Sequence, residues 1–234
     1  MPWDAPHVPP FPIRFRDVTI LTVAWRTDPE AIARVLPPPL EPLGDVALAH
    51  VYRMPDVDAM GAVHECNVMV GASLGDVVGG FSTILVLDSD AGVAHGREVH
   101  GQPKKLGSLR LEARGDLLVA EVERNGITIL TATTPYKQRP CEPEAMRRHF
   151  DFRENLNYKV IPAIDGTAAI RQLTARRLTD IDVAESWEGP ATVELRPNAQ
   201  APVHRLPVVE PLEAWHWRAS FTLVPGRVVH DYLA

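Results

Sequence analysis

Apolar and polar residues alternate along many short segments of the chain, a period of two that is typical of half-buried β-strands. Between two such segments lies Asn125-Gly126, which predicts a tight hairpin because both residues tolerate a positive φ. Helical signals are fewer; in the first of them Asp28 stands as an N-cap before Pro29. The predicted strands cover residues 13–25, 46–53, 62–72, 81–87, 106–112, 117–123, 127–131, 158–161, 168–178, 192–195 and 215–223, with a short one after Pro225-Gly226. The predicted helices cover 30–36, 88–99 and 143–149.

This element pattern predicts an α+β protein made mainly of antiparallel strands. A barrel or a sandwich with short helices at its edges accommodates so many short strands. Gly79-Gly80 is expected to break the chain before the apolar strand 81–87. The proline-rich residues 1–12 predict an extended arm, and the lack of a repeat or linker after them predicts one domain over 13–234.

Composition and charge narrow the functional classes. Of the 234 residues, 45% are hydrophobic, enough for a real core. A net charge of −6 and no basic run argue against nucleic acid as a partner. No apolar stretch of about 18 residues predicts a membrane span, and the N-terminus does not read as a secretory signal. Cys66 and Cys141 give no disulfide framework, so we expect a cytoplasmic protein.

Lysine usage singles out one segment of the chain. Of the 24 basic residues only four are lysines, and two of these, Lys104 and Lys105, stand side by side after Pro103. A lysine amine attacks a carbonyl group only when it is neutral, whereas an ordinary lysine, with a pKa of about 10.4, is protonated at pH 7. In extended chain the two side chains point to opposite faces. Repulsion over about 12 Å is worth only ~1.4 kcal/mol at an effective dielectric near 20, so a reactive lysine here needs apolar surroundings.

The segments Gly96-Arg97-Glu98 and Pro103-Lys104-Lys105-Leu106-Gly107 resemble the active-site region of acetoacetate decarboxylases. The similarity continues through Asn157-Tyr158-Lys159 to the terminal Asp231-Tyr232-Leu233, and thus covers nearly the whole chain. It implies a barrel-like, cone-shaped fold that assembles into a homo-oligomer. It also implies Lys104 as the Schiff-base nucleophile and Lys105 as its charged neighbour, the arrangement for which this family is the standard example.

The family also carries two glutamates and an arginine in its pocket, and here the sequence departs from the pattern. One glutamate falls on Glu65, a candidate proton shuttle, and the other falls on His50. Without gaps the arginine falls on Val18, whereas a shift of two residues brings Arg16 into its place. With Val18 and His50 in these positions, we expect acetoacetate to be decarboxylated poorly or not at all.

The resemblance thus implies a carbon–carbon lyase that acts on a small keto acid through Lys104, with no external cofactor. Either CO₂ leaves from the iminium, or an enamine forms and adds to an aldehyde in an aldolase-dehydratase reaction. A genuine acetoacetate decarboxylase is one alternative, and a barrel that binds a hydrophobic ketone or lipid without turnover is another.

The remaining polar residues are weaker candidates. Gln102 lies two residues before Lys104 and reads either as a hydrogen-bond donor in the pocket or as an ordinary turn residue. A metal cluster is the less favoured reading, because the spacing lacks a helical His-x-x-x-His or Cys-x-x-Cys pattern. Its candidate ligands are His50, His64, Glu65, His95 and His100.

Overall fold

The computed structural model describes residues 3–4 and 7–234, so the predicted arm over residues 1–12 lies partly outside the described residues. The strands are β1 (Ile13–Arg26), β2 (Glu41–Val57), β3 (Gly61–Leu74), β4 (Val77–Leu87), β5 (Lys104–Leu106), β6 (Ser108–Arg114), β7 (Leu117–Arg124), β8 (Ile127–Pro135), β9 (Arg139–Pro140), β10 (Glu154–Pro162), β11 (Ala168–Pro190), β12 (Thr192–Leu195), β13 (Glu210–Leu223) and β14 (Arg227–Asp231). The helical elements are α1 (Pro29–Val35), α2 (Asp90–His95), a π-helical turn (Gly96–His100) and two 3-10 turns (Pro143–Arg147, Val203–Arg205). The predicted α+β class, mainly antiparallel and barrel-like, is confirmed.

In the part of the chain that the structure describes, seven strands form a closed barrel. Their order is β10-β11-β13-β1-β2-β3-β4, and a parallel pairing of β4 with β10 closes the ring. All other neighbours in this ring are antiparallel. Closure removes the free edges that an open sheet would expose.

Both faces of the barrel wall are buried. On β2, Ala47, Ala49 and Val51 belong to one apolar cluster, together with residues of a second sheet made of β12-β8-β7-β6. The alternate residues Leu48 and Met54 belong to another cluster, inside the barrel. Because successive side chains on a strand point to opposite faces, a wall buried on both sides has long apolar runs. This explains why the alternation in the sequence is imperfect.

Gly79 and Gly80 lie inside β4 and do not break the chain before it, so the prediction of a strand starting at residue 81 was wrong. A Cβ at Gly79 would overlap the backbone oxygen of Glu154, and one at Gly80 would overlap the Met69 side chain. Gly80 is also the Cα partner of Asn155 where β10 joins β4. These glycines allow the close approach that shuts the barrel.

Local sequence signals account well for the turns and caps. The Asp28 carboxylate accepts a hydrogen bond of 2.9 Å from the Glu30 amide at the start of α1, as predicted. Asn125 and Gly126 have positive φ values of 55° and 73° in the predicted hairpin between β7 and β8. The predicted helix over 88–99 forms as α2 followed by the π-helical turn, which ends at Gly101 with φ 77°.

Candidate active site

The lysine segment forms part of the barrel wall. Strand β5 pairs in parallel with the C-terminal end of β4, where Leu85 is the Cα partner of Lys104. Nearer its N-terminal end, β4 pairs with β10 instead. The strands β10 and β5 therefore lie one after the other along the same edge of β4. Residues 104 and 105 lie in extended chain, so their side chains point to opposite faces of β5.

Lys104 and Glu65 form a buried ion pair inside the barrel. The distance from Lys104 Nζ to Glu65 Oε2 is 2.8 Å, and the two side chains are only 10% and 13% exposed. Glu65 comes from β3, where it stands opposite Tyr52 of β2 in the ladder. Two segments far apart in sequence thus bring an amine and a proton acceptor into direct contact. Arg97, from the turn before β5, donates to the Lys104 backbone oxygen at 3.4 Å.

A small cavity of about 50 Å³ adjoins this ion pair. Its polar lining residues include Tyr52, His95, Gln102 and Arg176 beside Lys104 and Glu65. Most of the remaining wall is apolar, as a reactive lysine requires, and includes Met54, Val57, Val63, Leu87, Leu178 and Leu223. Charges in such surroundings interact more strongly than they do in water.

The turn before β5 holds the lysine side chain in place. At Gly96 a Cβ atom would overlap Cδ and Cε of Lys104, so the lysine chain packs directly on this glycine. Gln102, on the same connection, lines the cavity as the sequence analysis considered. When its amide is oriented to satisfy its neighbours, the oxygen accepts hydrogen bonds from Nη2 and Nε of Arg176 at 2.8 and 3.2 Å.

Arg176 is the functional candidate that the sequence analysis missed. It lies on β11, opposite Asn155 of β10, and lines the lysine cavity. Burial lowers the pKa of Arg176, whereas the nearby Glu65 carboxylate raises it; an arginine remains charged under either influence. Its signal in the sequence was a charged residue in phase with Thr174 and Leu178, on a face without another charge between residues 168 and 178. A charged residue in a strand is equally typical of an exposed position at the edge of a sheet, and only the partner strands distinguish the two positions.

A second, larger cavity of about 330 Å³ adjoins the first inside the barrel. Tyr52, Arg176, Leu178 and Phe221 line both cavities. His50 lies here rather than beside Lys104, one step along β2 from Tyr52 and opposite Asn67 of β3. The further walls include Ile20, Met69, Phe152 and Trp217.

Three buried histidines near the two cavities are neutral at pH 7. Burial lowers the pKa of His50 to about 4. For His95 burial, reinforced by the positive charges of Lys104 and Arg176, lowers the pKa to about 4. Burial also lowers the pKa of His100 to about 2, with Arg176 the next largest cause. Each imidazole therefore offers one donor and one acceptor rather than a charge.

The other predicted site residues do not reach the lysine cavity. Lys105 points to the opposite side of β5, where its ammonium donates to Gln200 Oε1 at 2.9 Å, and burial lowers its pKa, with Arg124 and Arg97 as further causes. Arg16 pairs with Asp58 at 2.9 Å and with Asp56 at 3.3 Å on the surface. Val18 is fully buried in the apolar interior. Within the described chain, neither cavity is lined by any of these three.

The five candidate metal ligands do not gather into one site, although the rings of His95 and His100 are in contact, with their centroids 5.2 Å apart. His64 lies at the surface and pairs with Asp88 at 2.9 Å, whereas Glu65 pairs with Lys104. Over residues 3–4 and 7–234, no group of three or more His, Cys, Asp or Glu side chains could hold a metal ion. In the same residues no helix is long and apolar enough to span a membrane.

Comparison with known proteins places the chain among proteins with the same fold and related sequences. The family model for acetoacetate decarboxylase (ADC) matches residues 1–233. The chain belongs to the acetoacetate decarboxylase family. An acetoacetate decarboxylase of Paraburkholderia xenovorans is 38% identical over 234 residues, which cover all of this chain and 92% of that protein.

Solved structures agree with this membership. A crystal structure of acetoacetate decarboxylase from Legionella pneumophila superposes with a TM-score of 0.94 at 35% identity, covering 100% of this chain and 93% of the other. An acetoacetate decarboxylase-like enzyme from Sphingomonas wittichii RW1 shares the fold, with a TM-score of 0.86 at 17% identity and coverage of 97% and 96%. The resemblance seen in the sequence and the prediction of a lyase of this family are therefore confirmed. A single domain, a homo-oligomer and a cytoplasmic location stay predictions.

Proposed function

We propose that this protein is a carbon–carbon lyase that forms a Schiff base between Lys104 and the ketone of a keto acid. The observation that carries the proposal is the contact of 2.8 Å between the Lys104 amine and the Glu65 carboxylate within a small, largely apolar cavity. The carboxylate can accept the proton that the ammonium must lose before it attacks a carbonyl group. The neutral amine then adds to the ketone carbon.

The chemistry after this addition needs only the lysine and a proton donor. The proton that Glu65 accepted leaves with the hydroxyl group of the adduct as water, which gives an iminium that draws the electron pair of the adjacent C–C bond as CO₂ leaves. Glu65 takes up a proton from solvent and passes it to the resulting enamine, and hydrolysis of the ketimine releases the ketone and the free amine. No external cofactor enters this sequence.

The related proteins and the lining of the cavity both favour loss of CO₂ over addition to an aldehyde. Loss of CO₂ is supported by relatives named acetoacetate decarboxylase at 35–38% identity over the whole chain. The Arg176 guanidinium also supports a carboxylate substrate, since it supplies the positive charge that Val18 does not. In the alternative route the enamine adds to an aldehyde, and the lysine and Glu65 keep the same roles.

Borohydride reduction tests the proposal directly. The protein is incubated with acetoacetate or pyruvate, reduced, and examined by intact mass and peptide mapping. We expect a label on Lys104 in the wild type and in a Lys137→Arg control, and none in Lys104→Arg. A label on Lys137 or Lys159 contradicts the assignment, and a Lys104→Ala protein that binds its ligand unchanged favours binding without turnover.

Glu65→Gln tests the proton acceptor while keeping the shape of the side chain. Proton transfer by a positioned side chain contributes about 10²–10⁴-fold to a rate. We therefore expect the rate of trapping at Lys104 to fall roughly 100-fold or more at neutral pH. The control is His64→Gln, the neighbouring residue on β3, whose side chain points to the surface and pairs with Asp88. Equal losses in both variants would show a general effect on the strand.

A further inference from the structure

The two cavities differ greatly in size, and the smaller one is at the lysine. The lysine cavity has a volume of about 50 Å³ and its neighbour about 330 Å³. Pockets for small ligands begin at roughly 300 Å³. A substrate confined to the lysine cavity would leave a space of ligand size empty next to it.

Three residues that line the larger cavity carry buried polar atoms without partners. Nε2 of His50, Oδ1 of Asn67 and Nε1 of Trp217 have no hydrogen-bond partner among the described residues, and all three side chains are more than nine-tenths buried. The other ring nitrogen of His50, Nδ1, shares a hydrogen bond of 2.8 Å with the Thr22 hydroxyl. Buried polar groups in native proteins nearly always have partners. These atoms thus point to a ligand that carries its own hydrogen-bonding group.

The register of the strands places the lysine cavity and the larger cavity close together. Glu65 and Asn67 face the interior two residues apart on β3, with Tyr52 and His50 opposite them on β2. Two residues along a strand span about 7 Å. Arg176 lines both cavities and accordingly lies where one ligand would cross from one to the other.

We propose that the substrate is a 3-keto acid longer than acetoacetate. Its ketone meets Lys104, its carboxylate pairs with Arg176, and its substituent extends into the larger cavity. The apolar residues of that cavity, among them Met69, Phe152 and Trp217, accommodate an aliphatic or aromatic body. A hydroxyl or similar group at its end meets His50, Asn67 and Trp217. This inference rests on the proposed Schiff base at Lys104 and specifies the substrate class.

A series of keto acids tests the larger cavity. The probes are acetoacetate, its analogue with a benzyl group on the methyl carbon, and the same analogue with a para-hydroxyl. We expect kcat/KM for CO₂ release to be at least tenfold higher for the benzyl analogue than for acetoacetate. The hydroxyl should add roughly two- to tenfold, the effect of one neutral hydrogen bond. Equal values for all three acids would overturn the inference.

Ile181→Trp tests the position of the substituent. Ile181 lines the larger cavity and is 42% exposed, so the fold should tolerate a larger side chain there. We expect the preference for the benzyl analogue over acetoacetate to fall at least tenfold. The matched control is Ile164→Trp at a fully exposed turn position, which should keep the preference. An unchanged preference in Ile181→Trp would also overturn the inference.

Arg176→Gln tests the carboxylate contact through a comparison of two ligands. The benzyl analogue is compared with the ketone that remains after it loses CO₂, and both are trapped with borohydride. A charged hydrogen bond to a carboxylate is worth about 1.5–3 kcal/mol. Trapping of the keto acid should therefore fall ten- to hundredfold more than trapping of the ketone. Arg110→Gln, at an exposed position on β6, serves as the control.

The outcomes separate this inference from the proposed function. If no ketone labels Lys104, the Schiff base itself is wrong. If every ketone labels Lys104 but acetoacetate is preferred, the Schiff base stands and the longer substrate is wrong. Equal losses for keto acid and ketone in Arg176→Gln would show that Arg176 does not bind the carboxylate.

Discussion

A single methyl group at Gly96 should displace the lysine without unfolding the protein. Gly96 has φ −63° and ψ −43°, helical values that alanine adopts without strain. Its added Cβ would overlap Cδ and Cε of Lys104 and would lie 2.8 Å from Oε1 of Gln102. Because all of these atoms belong to flexible side chains, we expect the lysine and the Gln102 amide to move rather than the backbone. Gly96→Ala therefore tests the position of the amine together with the amide beside it.

The expected effect on stability is small because two contributions oppose each other. Glycine to alanine at a compatible position stabilises a protein by about 0.4–1 kcal/mol. Moving the ammonium ~1 Å further from Glu65 than the present 2.8 Å weakens their attraction by about 1.5 kcal/mol at an effective dielectric near 20. The free energy of unfolding should stay within about 1 kcal/mol of the wild-type value.

The expected effect on chemistry is much larger. A misplacement of about 1 Å costs on the order of 100-fold in rate. The assay is the rate of borohydride trapping with acetoacetate, measured together with urea unfolding of the same samples. Glu98→Ala, an exposed position on the same turn, is the control and should trap at the wild-type rate. Wild-type trapping by a Gly96→Ala protein of native stability would refute the steric argument.

Three further predictions concern charge, pH and substrate. Lys105→Gln should change the trapping rate modestly and shift its pH profile towards alkaline pH, because the side chain points away from the lysine cavity; a variant inactive at every pH would contradict this. Burial lowers the pKa of His50 from 6.5 to about 4, so between these pH values the unfolded chain binds more protons and stability falls as the pH drops. The free energy of unfolding should fall by roughly 3 kcal/mol near pH 4 through this group alone. In urea unfolding of His50→Phe, this contribution to the decrease should be absent. CO₂ release from acetoacetate should be slow because its methyl group does not fill the larger cavity, and a kcat of about 10 s⁻¹ or more would contradict that expectation.

The sequence by itself determined the local elements and singled out the lysine segment. Asp28 before Pro29 is a cap that depends only on neighbouring residues, and Asn125-Gly126 is a turn that depends only on their φ angles. The scarcity of lysine and the segment around Lys104 indicated a candidate nucleophile, because composition and short motifs need no partner strand. Family membership and the α+β class followed from the same kind of information.

The tertiary structure decided which side chains share the interior of the barrel. Arg176 and Glu65 stand more than a hundred residues apart, and only the strand order and register bring both to the lysine cavity. Without gaps the family's pocket arginine falls on Val18, so the sequence indicated that the pocket lacks this positive charge. The charge comes instead from Arg176 on β11, which only the tertiary structure places there. His50 was expected in the pocket, and the register of β2 against β3 decides where in it: one step along β2 from Tyr52, in the larger cavity. From the sequence, Gly79 and Gly80 predicted a break in the chain. In the structure they lie inside β4, where the close approach of β10 leaves no room for a Cβ atom, and only the neighbouring backbone reveals this role.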